Sequence, residues 1–277
     1  MPKAFSKLLA SVPVAAAAIA GGSMLLVGPG KYTKGAAAPF AGRYFAHRGL
    51  FSKDQTVPEN SLKAFGLAVE KGYGIELDIQ LSKDGEVVVM HDDDLARACG
   101  IDRPVAELTL AELKELKLFG TEEKIPLFSE VLELVAGKVP MIVELKSQGP
   151  RNAELSLKAR DMLYAYGHKS GGDYCIESFD PRIVRWFRMN APWVFRGQLA
   201  CPKESYNDDT PPAAKEIFSR CLCNFYGRPQ FIAYEVGEKP AAVRFAEAMG
   251  AFRVCWTSHR KWDEKGSDAV IFEHYLP

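Results

Sequence analysis

The stretch IELDIQLSKDGEVVVMHDD, residues 75–93, decides the fold that we predict for this chain. It begins as a buried strand, because an apolar run there is broken only by Glu76, Asp78 and one glutamine. A turn signal, SKDG, follows, and the run Glu86–Met90 then predicts a hairpin strand that ends in His91. Two carboxylates at alternate positions of a strand point the same way. The stretch therefore predicts a buried strand with acidic side chains on one face and a histidine nearby.

Working outward, eight apolar runs predict the strands of one sheet. Most are continuous rather than alternating, as expected for parallel strands buried on both faces. Helix-like segments separate most of them, and this repeated alternation predicts an α/β fold, a TIM (β/α)8 barrel. The strand candidates are Arg43–Ala46, Gly74–Ile79, Pro140–Leu145, Tyr174–Glu177, Phe195–Leu199, Phe231–Tyr234, Arg253–Trp256 and Ala269–Phe272. The helix candidates are Asn60–Glu70, with Asn60 as N-cap, Leu127–Val135, Asn152–Tyr166, Asp180–Met189, with Asp180 as N-cap, Pro212–Leu222 and Lys239–Met249.

The alternation is interrupted after the second strand. The segment from about residue 92 to residue 126 carries no predicted barrel strand and includes helical pieces such as Leu108–Lys117. We interpret this part as a small insertion between the second strand and its barrel helix, inside a barrel domain at 42–277. The chain has 277 residues, and a TIM barrel takes about 250. Its length therefore fits once an N-terminal segment is set aside.

The N-terminal residues 1–30 predict a membrane segment. The Ala-, Val- and Leu-rich run Leu8–Gly30 holds no charge and is long enough to cross a hydrocarbon core of ~30 Å as a helix. The alternative is a secretory signal peptide cleaved at the small residues Ala36–Ala38, which would release a secreted protein. Because the run is long and that site lies well past its end, we expect one uncleaved transmembrane helix and a linker at 31–41. The flanking basic residues are balanced, so they do not decide the topology.

Composition limits the possible partners. The 35 basic and 35 acidic side chains cancel, which argues against nucleic acid, because binding its backbone needs a basic excess. A small anionic ligand needs only a few local cations. The six cysteines include no C-x-x-C pair, and we expect them to be structural thiols, although Cys221 and Cys223 could pair or bind metal. The composition leaves the oligomeric state open.

Chemically active side chains stand at the ends of the first three predicted barrel strands. In a TIM barrel the carboxyl ends of the strands form the active-site face, so these side chains are expected to converge. They are His47 and Arg48 after the first strand, Glu76 and Asp78 in the second, His91 after the hairpin, and Glu144 and Lys146 at the end of the third.

The three carboxylates predict a metal site. Glu76 and Asp78 share a face, and Glu144 on the adjacent strand can approach them. Carboxylates so close repel one another unless a cation neutralises them. Oxygen ligands suit one hard divalent ion, Mg²⁺ or Ca²⁺. For any single carboxylate, a helix cap or an ion pair is the simpler interpretation, but three in register across two strands favour the metal.

The histidines and cations fit phosphodiester cleavage. A lone histidine after a strand is more often a hydrogen-bonded core residue, but His47 and His91 would frame the metal site. Imidazole can give or take a proton near neutrality. Arg48 and Lys146 would add positive charge for the phosphate oxygens, the guanidinium as a bidentate fork and the ammonium as a point charge.

At these residues the chain resembles the glycerophosphodiester phosphodiesterase family. The matching pieces are AHRG at 46–49, PENS at 58–61, the stretch 75–93, and VELK at 143–146, followed by ESFDP at 177–181 and CWT at 255–257. Their order and spacing agree with that family over residues 43–277. Two departures are Ser61, where the family often has threonine, and the short segment Ser258–Gly266, which barely accommodates a helix before the last strand.

The resemblance implies a TIM barrel with a small subdomain after the second strand. It implies that His47 and His91 are the general acid–base pair, that Glu76, Asp78 and Glu144 are metal ligands, and that Arg48 and Lys146 contact the phosphate. Glu59 would orient or support the other site residues without contacting the substrate, and Phe179 and Trp256 would line the glycerol side. The implied reaction is metal-dependent hydrolysis of a glycerophosphodiester to glycerol 3-phosphate and an alcohol, either directly or through a cyclic phosphate.

Two alternatives remain at this point. Related barrels share the same layout, so phospholipase D-like or lyase activity on lysophospholipids, with a cyclic phosphate product, is a second enzymatic hypothesis. A membrane-anchored phosphodiester-binding protein without catalysis is a hypothesis of another class. Every position of catalytic type is filled, which speaks against it. The leaving-group alcohol and the choice between Mg²⁺ and Ca²⁺ cannot be read from these motifs.

Overall fold

The computed structural model describes residues 25–208 and 210–277, and its central feature is a closed barrel of eight parallel strands. The barrel closes because its first strand pairs with both its second and its last strand. The barrel strands are β1 Tyr44–His47, β2 Gly74–Leu81, β6 Met141–Leu145, β7 Tyr174–Ser178, β8 Phe195–Ala200, β9 Phe231–Glu235, β10 Phe252–Ser258 and β11 Ala269–Phe272. Each of the eight predicted strands is confirmed, with ends that differ by at most two residues.

Helices pack around the barrel and connect most of its strands. The described helices are α1 Lys34–Ala37, α2 Leu62–Glu70, α3 Ala96–Cys99, α4 Leu110–Glu115, α5 Phe128–Val135, α6 Asn152–Ser170, α7 Pro181–Asn190, α8 Pro212–Ser219, α9 Asn224–Gly227 and α10 Ala241–Ala248. Their apolar sides and the outward faces of the strands form the larger hydrophobic core. The inward faces fill the barrel itself.

Two helix starts test the predicted caps. At α7, Asp180 caps the helix as predicted, since its carboxylate accepts the backbone N–H of Arg182 at 2.9 Å. At α2, the prediction of Asn60 as N-cap is wrong: Ser61 is the cap, and its hydroxyl accepts the N–H of Ala64 at 3.1 Å. Asn60 instead takes a left-handed conformation, and its Nδ2 donates to Asp78 Oδ2 at 2.9 Å. Its amide is drawn away from the helix by this buried carboxylate.

The part after β2 builds a small subdomain. The hairpin strand β3, Val87–Val89, runs antiparallel to β2, and β4 Asp94–Leu95 pairs with β5 Ile101–Pro104. Apolar side chains from this region form a cluster of their own, separate from the two barrel cores. The helical piece predicted at Leu108–Lys117 is shorter in the structure, where α4 starts from a capping box on Thr109. This subdomain carries His91 to the rim of the barrel.

Aromatic side chains close the amino end of the barrel. Phe40, which is 2% exposed, stacks on Phe45 and Phe195 with ring centroids 6.0 and 5.6 Å away. Gly197 makes room for this layer, because a Cβ there would lie 2.0 Å from the ring of Phe231. Phe40 belongs to the segment 31–41 that the sequence predicts as a linker. In the structure this segment holds α1 and packs against the barrel.

Residues 25–30 also lie against the barrel. Val27 is 1% exposed, its carbonyl accepts from Asn224 Nδ2 at 3.1 Å, and the N–H of Gly30 donates to the carbonyl of Pro229 at 2.8 Å. These contacts lie just before β9, at the amino end of the barrel. The rest of the predicted transmembrane segment, 1–24, lies outside the described residues. Within the described part of the chain, every helix is too short or too polar to cross a bilayer.

The last connection lacks the α-helix of a regular barrel unit. A short 3₁₀ helix, Lys261–Glu264, takes its place between β10 and β11. Glu264 fixes this 3₁₀ helix against the barrel, because its carboxylate accepts hydrogen bonds from the hydroxyls of Tyr44 and Tyr275 at 2.8 Å each. The last strand still pairs with both β1 and β10, although its pairing with β10 contains a register shift between Cys255 and Ser258.

Candidate active site

Strand register brings acidic side chains to one level at the carboxyl end of the barrel. Asp78 on β2 is paired with Glu144 on β6, and Glu144 is paired in turn with Glu177 on β7. Glu76 lies two residues before Asp78 on the same face. All four are buried, between 1% and 7% exposed. Four carboxylates so close together in a low-dielectric site repel strongly, and this repulsion shapes the chemistry of the site.

The predicted metal ligands converge. Glu76, Asp78 and Glu144 each offer an oxygen, and these oxygens lie within 4.8 Å of one another. Burial and the charge of Asp78 raise the pKa of Glu76 well above its usual range, and burial also raises the pKa of Glu144. Burial acts against Asp78 as well, but Lys146, together with other nearby cations, outweighs it and holds the pKa of Asp78 well below its usual range.

Two cations partly balance these charges. Lys146 Nζ lies 3.1 Å from Glu144 and 3.4 Å from Asp78. Burial disfavours its charged form, but these two carboxylates raise the pKa of Lys146 above its usual value. Arg48 donates from its backbone N–H to Glu76 at 3.2 Å, and its Nε lies 3.7 Å from Asp78. Both cations line the site cavity and are placed to meet an anion there.

His47 is held by a carboxylate that the sequence analysis did not single out. Its Nδ1 lies 2.7 Å from Glu273 Oε2, at the end of β11. Because a carboxylate can only accept, Nδ1 carries the proton and Nε2 is left with a lone pair. That Nε2 lies 3.9 Å from Glu76. Burial and Arg48 lower the pKa of His47, while Glu273 acts in the opposite direction. The ring is therefore held neutral, with Nε2 directed toward the carboxylates.

His91 is held in the same way by its neighbour in sequence. Its Nδ1 lies 2.6 Å from Asp92 Oδ1, and Asp92 Oδ2 accepts from Arg97 Nε at 2.6 Å. Arg97 also donates to both carboxylate oxygens of Glu59, at 2.7 and 3.0 Å. Glu59 also accepts from Arg48 at 2.7 Å. Glu59 thus contacts both Arg48 and the arginine that supports Asp92 and His91.

A cavity of about 890 Å³ opens at this end of the barrel. Both histidines, Glu76, Glu144, Arg48 and Lys146 line it, together with Phe179 and Trp256. The two aromatic rings meet edge to face at 5.7 Å. Asp78 and Glu59 lie deeper and do not line the cavity. The structure therefore brings all ten predicted site residues to one end of the barrel, eight of them on the cavity wall.

The site passes a simple test for a cation. Glu177 is buried, its Oε2 has no hydrogen-bond partner, and burial and Glu144 raise its pKa well above the usual range. Without a cation, the repulsion among these buried carboxyl groups favours their protonated forms, and an oxygen-only donor set is what a hard divalent ion prefers. Among residues 25–208 and 210–277, the triad is also the one set of three such side chains whose donor atoms converge. These residues fit a divalent metal.

The cysteines take no part in this chemistry. All six are free thiols, including Cys221 and Cys223, which the sequence left open as a disulfide or metal pair. Cys201 lines the cavity, but burial raises the pKa of its thiol to about 12. A thiol is a weak nucleophile in that state.

Comparison with known proteins identifies the family. The sequence profile of the glycerophosphoryl diester phosphodiesterase family matches residues 47–274. The chain belongs to this family. The matched region starts at His47 and ends just after Glu273, so it includes every residue of the site described above.

Individual members of the family agree in fold and in part of the sequence. A glycerophosphodiester phosphodiesterase of Caldanaerobacter subterraneus is 43% identical over 110 residues, which cover 37% of this chain and 44% of that protein. Rat lysophospholipase D GDPD1 is 33% identical over 120 residues, or 39% of this chain and 37% of that protein. An Oleispira antarctica phosphodiesterase, solved with the product sn-glycerol-3-phosphate, superposes with a TM-score of 0.68 at 25% identity over 85% of this chain and 94% of that one. The matches to the curated relatives thus span less than half of each of those two proteins.

Proposed function

We propose that this phosphodiesterase family member hydrolyses glycerophosphodiesters to glycerol 3-phosphate and an alcohol. The observation that carries the proposal is the convergence of Glu76, Asp78 and Glu144 at the base of one cavity, whose wall also includes two carboxylate-bound histidines. The Oleispira relative with bound sn-glycerol-3-phosphate supports glycerol 3-phosphate as the product.

The acidic triad would hold one divalent cation, Mg²⁺ or Ca²⁺. When bound, this ion would supply charge stabilisation to the phosphoryl oxygens, which become more negative in the transition state. Asp78 is the ligand best prepared for it, since its low pKa keeps it ionised. Glu76 and Glu144 have raised pKa values, so they lose protons as the ion binds.

The two histidines would move the protons. His47 Nε2 has a free lone pair, because Nδ1 donates to Glu273, and His91 is oriented in the same way by Asp92. One imidazole takes the proton of the attacking oxygen, and the other, in its protonated form, gives a proton to the leaving alkoxide. The attacking oxygen is either water or a free hydroxyl of the substrate's glycerol, which would give a cyclic phosphate first.

The remaining residues would bind the rest of the substrate. Arg48 and Lys146 would contact the phosphate oxygens from two sides, with Glu59 fixing the guanidinium. Phe179 and Trp256 would cover the apolar face of the glycerol backbone. Trp256 is itself fixed, since its Nε1 donates to the carbonyl of Ala233 at 3.0 Å.

A second candidate is phospholipase D-like cleavage of lysophospholipids. The similarity to rat lysophospholipase D GDPD1 favours it, and so do apolar side chains on the cavity wall, among them Leu199 and Phe218. Turnover of glycerophosphocholine, glycerophosphoethanolamine and lysophosphatidylcholine, with EDTA and then Mg²⁺ or Ca²⁺ added back, tests both candidates. We expect metal-dependent release of glycerol 3-phosphate. Stable cyclic phosphate would favour the second candidate, and bound but uncleaved ligand with metal present would favour a non-catalytic binding protein.

We also propose that the N-terminal segment stays attached as a membrane anchor. Cleavage at Ala36–Ala38 would remove Val27, which is buried, and would cut within or just after α1. It would also remove partners of the buried side chains Asn224 and Gln230, which donate to the carbonyls of Val27 and Lys31. Intact mass of the protein purified from membranes tests this proposal. The full mass of 30.6 kDa is expected, and a chain that begins near residue 39 would contradict it.

A further inference from the structure

One face of the barrel's outer layer is basic and partly aromatic. Helix α7, Pro181–Asn190, contains three arginines but no aspartate or glutamate. Arg185, Arg188 and Met189 recur at the spacing of one helix side on α7, and Trp193 follows in the next loop. Met189 is 62% and Trp193 58% exposed. We call these four residues the basic face.

The charges of the basic face are not neutralised by carboxylates. Arg185 lies over the ring of Tyr226 at 4.4 Å, and Arg188 donates to the carbonyl of the same residue at 3.2 Å. Within the described residues neither arginine forms an ion pair. Tyr164 on α6 extends the aromatic part, since its ring meets that of Trp193 at 6.2 Å. The face therefore combines free positive charge with exposed aromatic surface.

This face lies at the amino end of the barrel, away from the active site. Helix α7 starts at the carboxyl end of β7 and runs down to the loop before β8, so Met189 and Trp193 lie at the far end from the cavity. Arg188 contacts α9, and α9 in turn holds residues 25–30 through Asn224. The basic face thus adjoins the point where the N-terminal apolar segment reaches the barrel.

We propose that the basic face rests on the surface of an anionic bilayer. Arginine attracts anionic lipid headgroups, and tryptophan favours the headgroup level of a membrane. A bilayer is a better match than a protein partner, because residues 25–30, which end the apolar run Leu8–Gly30 of the sequence, contact the barrel at this same end. Nucleic acid is a poorer match for a chain whose charges cancel.

The orientation has a consequence for the substrate, which rests on the proposed function. Barrel strands of five or six residues place the cavity about 17–20 Å from the amino end. With the basic face on the bilayer, the cavity opens toward water, away from the lipid that holds the protein. The enzyme would then draw water-soluble glycerophosphodiesters from solution rather than lysophospholipids from its own membrane.

A second exposed aromatic group offers a rival orientation and a matched control. Trp262 is 77% exposed and lies in the 3₁₀ helix that follows the carboxyl end of β10, next to Arg260 and Lys261. Here, however, Asp263 pairs with Arg260 at 3.0 Å and Glu264 with Lys261 at 3.2 Å. These cations are already neutralised, so this end offers less free charge to a membrane.

Hydrogen exchange of the full chain in nanodiscs tests the proposal. The discs contain phosphatidylcholine, with or without phosphatidylglycerol. We expect peptides covering residues 189–194 to exchange more slowly when phosphatidylglycerol is present, and peptides covering 259–265 to be unchanged. Equal exchange of 189–194 in both discs, or protection of 259–265 instead, would overturn the proposal.

Paired variants make the test specific. A basic residue near an anionic surface contributes about 1 kcal/mol, so Arg185→Gln with Trp193→Ser should lower the protection of 189–194 about fivefold or more. Arg260→Gln with Trp262→Ser makes the same two changes near β10 and should leave the protection of 189–194 unchanged. Arg185→Lys alone should keep most of this protection. Protection that survives in the first variant would refute the role of the basic face.

Turnover by the same nanodisc samples separates the two proposals. If wild type turns over glycerophosphodiesters normally but peptides 189–194 are not protected, only the proposal of a membrane-bound basic face is contradicted. Normal protection without any turnover of glycerophosphodiesters would count against the proposed function alone.

Discussion

The hydrogen bond between His47 and Glu273 offers a sharp test of how the site handles protons. Glu273→Gln keeps the shape of the side chain but removes its charge and lets its amide donate to Nδ1, which would place the imidazole proton on Nε2. The bond is 2.7 Å long and partly buried. A hydrogen bond to a charged group is worth about 1.5–3 kcal/mol. We therefore expect kcat to fall roughly tenfold to 150-fold, since every 1.4 kcal/mol is a factor of ten.

The pH profile distinguishes this role from a structural one. Glu273 raises the pKa of His47 against the lowering by burial and Arg48. Without Glu273 the pKa of His47 falls further, so the neutral form persists to lower pH. If His47 is the base, the acid limb of kcat/KM should move to lower pH while the plateau drops. The assay is steady-state release of glycerol 3-phosphate from glycerophosphocholine at a fixed, saturating metal concentration.

The matched control is Glu264→Gln, which alters a partly buried carboxylate that accepts from two tyrosine hydroxyls and pairs with Lys261 but contacts no histidine. It should reduce the free energy of unfolding and leave kcat and the pH profile close to wild type. A Glu273→Gln variant with wild-type kcat, or one whose loss is matched by Glu264→Gln, would refute the reasoning.

Three further predictions concern the metal, the support of His91 and the closure of the barrel. Because burial and Asp78 raise the pKa of Glu76, divalent ion binding should release protons and strengthen as pH rises. Calorimetry in buffers of different ionisation enthalpy checks this, and pH-independent affinity would contradict it. Arg97→Gln should lower kcat about tenfold without weakening metal binding, because it removes the support of Asp92 and Glu59. Phe40→Ala should lower the free energy of unfolding by about 3–5 kcal/mol in urea titrations, whereas Phe225→Ala at the surface should change it by less than about 1 kcal/mol.

Much of the fold follows from local sequence. Continuous apolar runs identified all eight barrel strands, because a strand buried on both faces has no polar side to blur the pattern. The capping error at Asn60 has a different origin. Asparagine often caps helices, but Asn60 instead donates its side-chain amide to Asp78, eighteen positions away. A partner so distant in the sequence leaves no local signal. The packing of Phe40 against the barrel was missed for the same reason.

The site shows the same division. The carboxylate triad was predicted because strand register fixes which side chains meet, and register follows from the strands themselves. Glu177 was missed, although it sits in the quoted ESFDP piece, because its position beside Glu144 depends on the pairing of β6 with β7. Glu273 directly follows the strand Ala269–Phe272. A carboxylate at the carboxyl end of a predicted barrel strand was a usable signal for a site residue. Its partner His47 lies 226 residues away.

The most direct test of the proposed function compares His47→Ala and His91→Ala with wild type in two measurements on the same samples. Calorimetry reports divalent ion binding, and release of glycerol 3-phosphate reports turnover. We predict that both variants bind the ion with near wild-type affinity, because neither histidine belongs to the acidic triad, and that both lose turnover. Wild-type turnover by either variant would contradict catalysis by a pair of histidines beside a metal-binding triad.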